Sequence, residues 1–193
     1  MARWIPAIAL LALLHVFLSS LVHPDAAVAK EAESPEVAAT AAMKSMKQGD
    51  WGAYTHRMHP DALAKAKQIF GAVVHADTSG RVGQLFFGVE SAKAYEAMPD
   101  SVTFVAFMTN LTKHVPVFAE VIKSAEFNVI GTLPEGKDLV HIVYRTEAKA
   151  EEIVIARSAV LSMRRYGSEW RMLLTGNIEG MAARLSQMTG SPH

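Results

Sequence analysis

The hydrophobic pattern of this chain changes its period once, near residue 125. Before that point apolar residues recur at three- and four-residue spacing, and after it they alternate. A chain with helical periodicity first and strand periodicity second is restricted to an α+β arrangement, with helices gathered on one face of an antiparallel sheet.

In the first half, Val37, Ala38, Ala41, Ala42 and Met46 share a helical stripe, and Ser34 is placed to cap a helix entered at Pro35. Gly49-Asp50 stops that helix, and Asp50 caps a short one over Trp51 to Met58. His59-Pro60-Asp61 is a break and restart, since proline suits a first helical turn and not an interior one. The next helix, Ala62 to His75, carries Leu63, Ala66, Ile69, Phe70, Val73 and Val74. Asp77 to Gly88 reads as a glycine-rich loop whose Leu85-Phe86-Phe87 is too apolar to stay in water and tucks onto the core. Ser91 to Met98 is a short helix ended by Pro99. Asp100 or Ser101 caps a further helix through Val105, Phe107, Met108 and Leu111 toward Val115, with Pro116 marking a kink or an end.

Four β-rich runs follow, Glu126 to Thr132, Leu139 to Thr146, Ile153 to Arg165 and Glu169 to Gly176, with a closing helix expected over Ile178 to Met188. Their short connections make them consecutive antiparallel hairpins. A two-residue turn at Gly167-Ser168 pairs Arg165 with Trp170, Met163 with Met172 and Leu161 with Leu174. Counting back by twos, Ala159, Arg157, Ile155 and Ile153 share that inward row. On the preceding strand Val140, Ile142 and Tyr144 face inward, while His141, Val143 and Arg145 face out. A turn around Pro134 to Lys137 then matches Ile142 with Val129 and Tyr144 with Phe127, unless a bulge intervenes.

The N-terminus constrains location. Arg3, an apolar run from Ile5 to Val22 and the small-x-small site Ala27-Val28-Ala29 together have the form of a cleavable secretory signal peptide. The alternative, an uncleaved anchor, is disfavoured because the run is short for a span and is broken by Ser19, Ser20, His23 and Pro24. The expected organisation is a signal peptide over 1–29, an exposed leader over 30–36, one domain over 37–188 and a disordered tail over 189–193. The expected location is exported, periplasmic or secreted, with no membrane association after cleavage. The chain has no cysteine, so an exported domain must rely on its core instead of disulfides, and thiol chemistry is excluded. Its 19 basic and 19 acidic residues are interspersed, unlike the basic stripe that nucleic-acid binding needs.

Lys47-Gln48-Gly49-Asp50-Trp51, followed by Tyr54 and Met58-His59-Pro60-Asp61, resembles the opening of the nuclear-transport-factor-2-like (NTF2-like, SnoaL-type) superfamily. Leu85-Phe86-Phe87-Gly88-Val89-Glu90-Ser91 and the closing hairpin with Gly167-Ser168-Glu169-Trp170 are similar to that group as well. The resemblance runs in element order from Val37 to Ile178. It implies a cone, in which a strongly curved antiparallel sheet wraps N-terminal helices in its concave face around a pocket. The superfamily hosts isomerases, dehydratases, cyclases, transport factors and dimerising modules, so the fold alone leaves activity open.

The ligand-pocket candidates are Arg157, Tyr144, Tyr54, His59 and Trp170. Arg157 is a charge on an otherwise apolar inward row. It is either a pocket cation for an acidic or polar ligand, or it pairs with a helix carboxylate or snorkels from the rim. His56, His59 and Asp61 have a spacing that could suit a metal, but Pro60 interrupts the helix between them. The expected reading is a cap at His59, a solvated His56 and no metal or cofactor. The inward strand rows carry no Asp or Glu, so an acid–base site would need Tyr54, His59 or Asp61 from the helices. No nucleophile elbow, phosphate loop or dinucleotide fingerprint is present. Three readings follow. The first is a non-catalytic domain binding a small molecule or partner. The second is an isomerase- or lyase-type enzyme using His59, Asp61 or Tyr144 with Arg157. The third is a module that dimerises through its outer sheet face, its interior filled by Phe104, Phe107, Phe118 and Trp170.

Overall fold

Seven helical segments precede a four-stranded antiparallel meander in the described part of the chain. The structure is a computed structural model describing residues 33–150 and 153–175, all within one compact unit. The expected signal peptide (1–29), the closing helix (Ile178 to Met188) and the tail lie outside the described residues.

Helix α1 spans Pro35–Lys47 and opens as its sequence requires, with Ser34 Oγ accepting from Val37 N at 3.3 Å. Its buried stripe is Ala38, Ala39, Ala42 and Met43, rotated from the expected one, so that Val37 is exposed. Asp50 Oδ1 caps α2 (Trp51–His56) by accepting from Ala53 N at 2.9 Å. Helix α3 (Pro60–Ala76) starts at Pro60 under a histidine cap, His59 Nδ1 accepting from Asp61 N at 3.2 Å.

The segment expected to be a loop contains one π-helical turn, Gly83–Phe87. It buries Phe86 and Phe87 and leaves Leu85 partly exposed. Gly88, at φ 68°, ends the turn in the left-handed region that favours glycine. Helix α4 (Ala92–Glu96) is capped by Ser91. Helix α5 (Asp100–His114) begins after Pro99 with no side-chain cap, so Asp100 sits in its first turn and not at the cap position. Pro116 does more than end a helix, for it is the first residue of α6 (Pro116–Ser124). Proline's fixed φ suits a first turn, and its missing N–H is one that such a turn leaves unpaired.

The strands are β1 (Glu126–Glu135), β2 (Leu139–Ala150), β3 (Ile153–Tyr166) and β4 (Glu169–Met172), in that spatial order. The β3–β4 register is as expected, Arg165 opposite Trp170 and Met163 opposite Met172. Strand β4 ends at Met172, however, so Leu161 and Leu174 are not a ladder pair. The β1–β2 register differs from the expected one: Val129 faces Tyr144 and Phe127 faces Thr146, with a bulge between Val129 and Gly131.

One sheet face is buried. Val140, Ile142, Leu161, Met163, Trp170 and Met172 share one buried cluster with Ala38 and Ala42 of α1 and with Phe70, Phe104 and Phe107 of α3 and α5. Phe70 and Phe107 stack with ring centroids 4.2 Å apart. The helical layer is also stitched to the last strand. His59 N donates to Met172 O and Met172 N donates to Arg57 O, both at 2.8 Å, a parallel bridge outside the meander.

Among the described buried side chains, Thr55 on α2 carries a hydroxyl with no hydrogen-bond partner. A desolvated, unpaired hydroxyl costs about 1–3 kcal/mol. Thr55→Val keeps the shape and removes the polar atom, so it should stabilise the fold by about 1 kcal/mol. In urea unfolding the midpoint should rise with unchanged slope; an unchanged or lower midpoint would show that the hydroxyl is solvated or bonded.

Candidate binding cleft

Burial along the inner sheet face is uneven, and the unevenness makes a cleft. Near β4 the inner rows are sealed, with Val140, Ile142, Leu161 and Met163 each no more than 6% exposed. Two residues further along, Tyr144 and Ala159 are half-buried, and two further still Arg157 is exposed. The helices cover only part of the sheet, and the part left open on the β1–β2 side faces the C-terminal half of α1.

There a cleft of about 330 Å³ lies between α1 and the sheet, a volume within the range of small-molecule sites. Its helix wall is Thr40, Met43, Lys44 and Lys47, an i, i+3, i+4, i+7 face, with Gln48 at the helix end. Its sheet wall is Phe127, Val129 and Tyr144, with Glu126 at the rim. The Phe127 and Tyr144 rings lie 6.0 Å apart at 48°. Lys47 Nζ reaches Glu126 Oε1 at 2.7 Å, closing one end of the cleft with an ion pair.

The structure brings together only some of the residues expected at a pocket. Tyr144 lines the cleft. Tyr54 stands behind it, against the core, with its ring 6.1 Å from Trp51 on one side and 6.1 Å from Phe104 on the other. Trp170 is buried core, with the Arg165 guanidinium 4.5 Å from its ring centroid. His59 is buried at the start of α3, its ring edge-on to Tyr166 at 5.4 Å and its Nδ1 engaged in the helix cap. Arg157 lies on the expected row, opposite Thr146, but is exposed and does not line the cleft. Of the acid–base candidates expected beside Arg157, Tyr144 is its diagonal neighbour across β2 and β3, whereas His59 stands at the other end of the sheet. His59 bonds at Met172, whose cross-sheet row ends at Val140, four residues along β2 from Tyr144, or about 13 Å.

The cleft residues on α1 were not recognisable as a site in the sequence. Lys44 and Lys47 read as ordinary solvated lysines at a helix C-terminus, where the helix dipole favours them.

Burial raises the Tyr144 phenol above its ordinary range, so at neutral pH it is a protonated donor and not a base. Burial, with Tyr144 adding, pushes Tyr54 up to about 12. Among the described residues no group of three His, Asp or Glu side chains is arranged to hold a metal, and His56 is exposed away from the His59 cap. On the outer sheet face Ser162 Oγ, His141 and Glu135 form a chain, with His141 Nδ1 at 2.9 Å from the serine and Nε2 at 2.6 Å from the carboxylate. The chain links β1, β2 and β3 across that face, His141 lying opposite Ser162 on β3 and Leu133 on β1.

No protein-family model, curated protein or solved structure matches the chain. Among the described residues no helix is long and apolar enough to cross a membrane.

The raised Tyr54 pKa has a consequence for alkaline stability. Below pH 10 the phenol is protonated whether the chain is folded or not, and its contribution is complete. As pH rises from 10 toward 12 the unfolded phenol ionises first, and that contribution is lost. Tyr54→Phe should therefore show a shallower fall in melting temperature over this interval than the wild type. Superimposable pH profiles would mean that the phenol is not desolvated.

Proposed function

We propose that this chain is an exported, non-catalytic domain of NTF2-like type that binds a small molecule in the cleft between α1 and the sheet. The observation that carries the reading is the character of the cleft wall. Met43, Phe127, Val129 and the Tyr144 ring offer a concave apolar surface beside a few polar groups, the usual composition of a binding site. Tyr144, the cleft group with a shifted pKa, is moved away from neutrality and suits hydrogen bonding better than proton abstraction. The order of elements, helices and then an antiparallel meander, is compatible with the NTF2-like resemblance, and the N-terminal run supports export. Native mass spectrometry of the exported protein tests these points together. The expected mass starts at Lys30 and carries a stoichiometric small-molecule adduct, which Val129→Trp removes by filling the cleft. An intact N-terminus would sink the cleavage reading, and an adduct unaffected by Val129→Trp would sink the cleft.

A second reading, self-assembly, is favoured by the outer sheet face. Leu133 and Val160 are 64% and 52% exposed there, and Val143, directly opposite Val160, lies between them. An apolar stripe of this kind marks an interaction surface, and a second copy would cover it. Sedimentation velocity should show a dimer that Val160→Lys dissociates; a wild-type monomer at all accessible concentrations would exclude this reading.

A further inference from the structure

We infer that the ligand of the cleft is an amphipathic carboxylate, an organic acid with an apolar ring or chain. The inference rests on the cleft being the binding site and adds the chemical class of its occupant.

The cleft's polar atoms are not balanced. Its acidic residue, Glu126, is already committed to Lys47 at 2.7 Å. Lys44, one turn before Gln48, is exposed on the cleft wall, and its ammonium makes no ion pair or hydrogen bond among the described residues. The protonated Tyr144 phenol on the sheet wall and the Thr40 hydroxyl on the helix wall add further donors. With two ammonium groups against one carboxylate, the lining is cationic, and its free hydrogen-bonding capacity is mostly donor. The complement of such a wall is an acceptor-only anionic head, and an ionised carboxylate is the compact organic form of that.

The other half of the ligand follows from the sheet wall. Val129 is 45% exposed, and Phe127 and Tyr144 are half-buried. Covering these surfaces favours an apolar body, since each buried methylene contributes about 0.8 kcal/mol. Phe127 and Tyr144 incline toward each other at 48°, a geometry that accepts the edge of a ring as well as a chain. A phosphate or sulfate ion has the charge but nothing to place against these walls. A neutral hydrocarbon fills the walls and leaves Lys44 unanswered.

The test is calorimetric titration of the full chain with 4-phenylbutyrate and with 4-phenylbutan-1-ol, which share the apolar body and differ in the head. The acid should bind about tenfold more tightly than the alcohol, the scale of a charge-assisted hydrogen bond. Its affinity should fall as salt is raised. Lys44→Gln, a change on an exposed helix face that leaves folding intact, should bring the two affinities together. Val129→Trp should abolish both. Equal affinities in the wild type, or a preference that survives Lys44→Gln, would overturn the carboxylate assignment while leaving the cleft reading in place, provided Val129→Trp still blocks binding. Binding unaffected by Val129→Trp, or no binding of either compound, would overturn both.

Discussion

Two hydrogen bonds between a helix–helix junction and the last strand hold the two halves of this chain in register. Strand β4 is four residues long, and beyond it the sheet would present a bare edge. The Arg57-Met58-His59 segment occupies that position, pairing with both backbone groups of Met172. An uncovered edge invites pairing with other chains, and a bridging segment removes that opportunity. The same junction buries Met58 and Met172 and starts α3 through the His59 cap. A histidine whose position suggests chemistry is thus occupied by architecture: its main-chain N–H serves the sheet and its Nδ1 serves a helix.

From that seam, order decays along the strands. The rows nearest β4 are buried in one cluster with the small side chains of α1 and the aromatic rings of α3 and α5, and the rows further out are progressively bare. Cover returns once more, at the far end of β2. There Ser124 Oγ at the end of α6 donates to Lys149 O and accepts from Lys149 N, and Ala148 is buried. Between these two covered regions the inner face is exposed to whatever α1 leaves room for. The small buried side chains of α1, Ala38, Ala39 and Ala42, let it approach the core closely, while Glu36 and Lys47 reach across to Thr132 and Glu126 of β1.

Local signals in the sequence identified most of the elements. Ser34, Asp50 and Pro60 each mark a helix start through a specific backbone requirement, and each marks it correctly. Strand faces were also legible, because alternation is a property of neighbouring residues: Leu161, Met163, Trp170 and Met172 are core as their parity requires. Parity says nothing of how far a helix layer extends over a sheet. Arg157 is on the inward row and still exposed, since its position relative to the ends of the helices is a tertiary fact. Helix α6 was missed for a related reason. Pro116 reads as a kink or an end, although proline is equally a start, and the choice depends on what the following turn packs against. The cleft was illegible because its helix wall is made of side chains that, on α1 alone, are unremarkable for a solvated surface.

The β1 bulge shows how an irregular feature decides the character of the site. From the turn, β1 and β2 pair with Glu135 opposite Leu139 and Thr132 opposite Ile142. Continued without interruption, that register would set Ile130 opposite Tyr144 and Asn128 opposite Thr146. Ile130 and Asn128 would then line the inner face, and Val129 and Phe127 would point to solvent. The extra residue at the bulge reverses the alternation, so that Val129 meets Tyr144, Phe127 meets Thr146, and Ile130 is left 61% exposed. Leaving a large apolar side chain in water has a cost, and what the chain gains is an aromatic ring in place of an amide on the inner wall. Phe127 and Tyr144 both pack against the buried core, so the exchange extends apolar packing along the inner face toward the sheet margin.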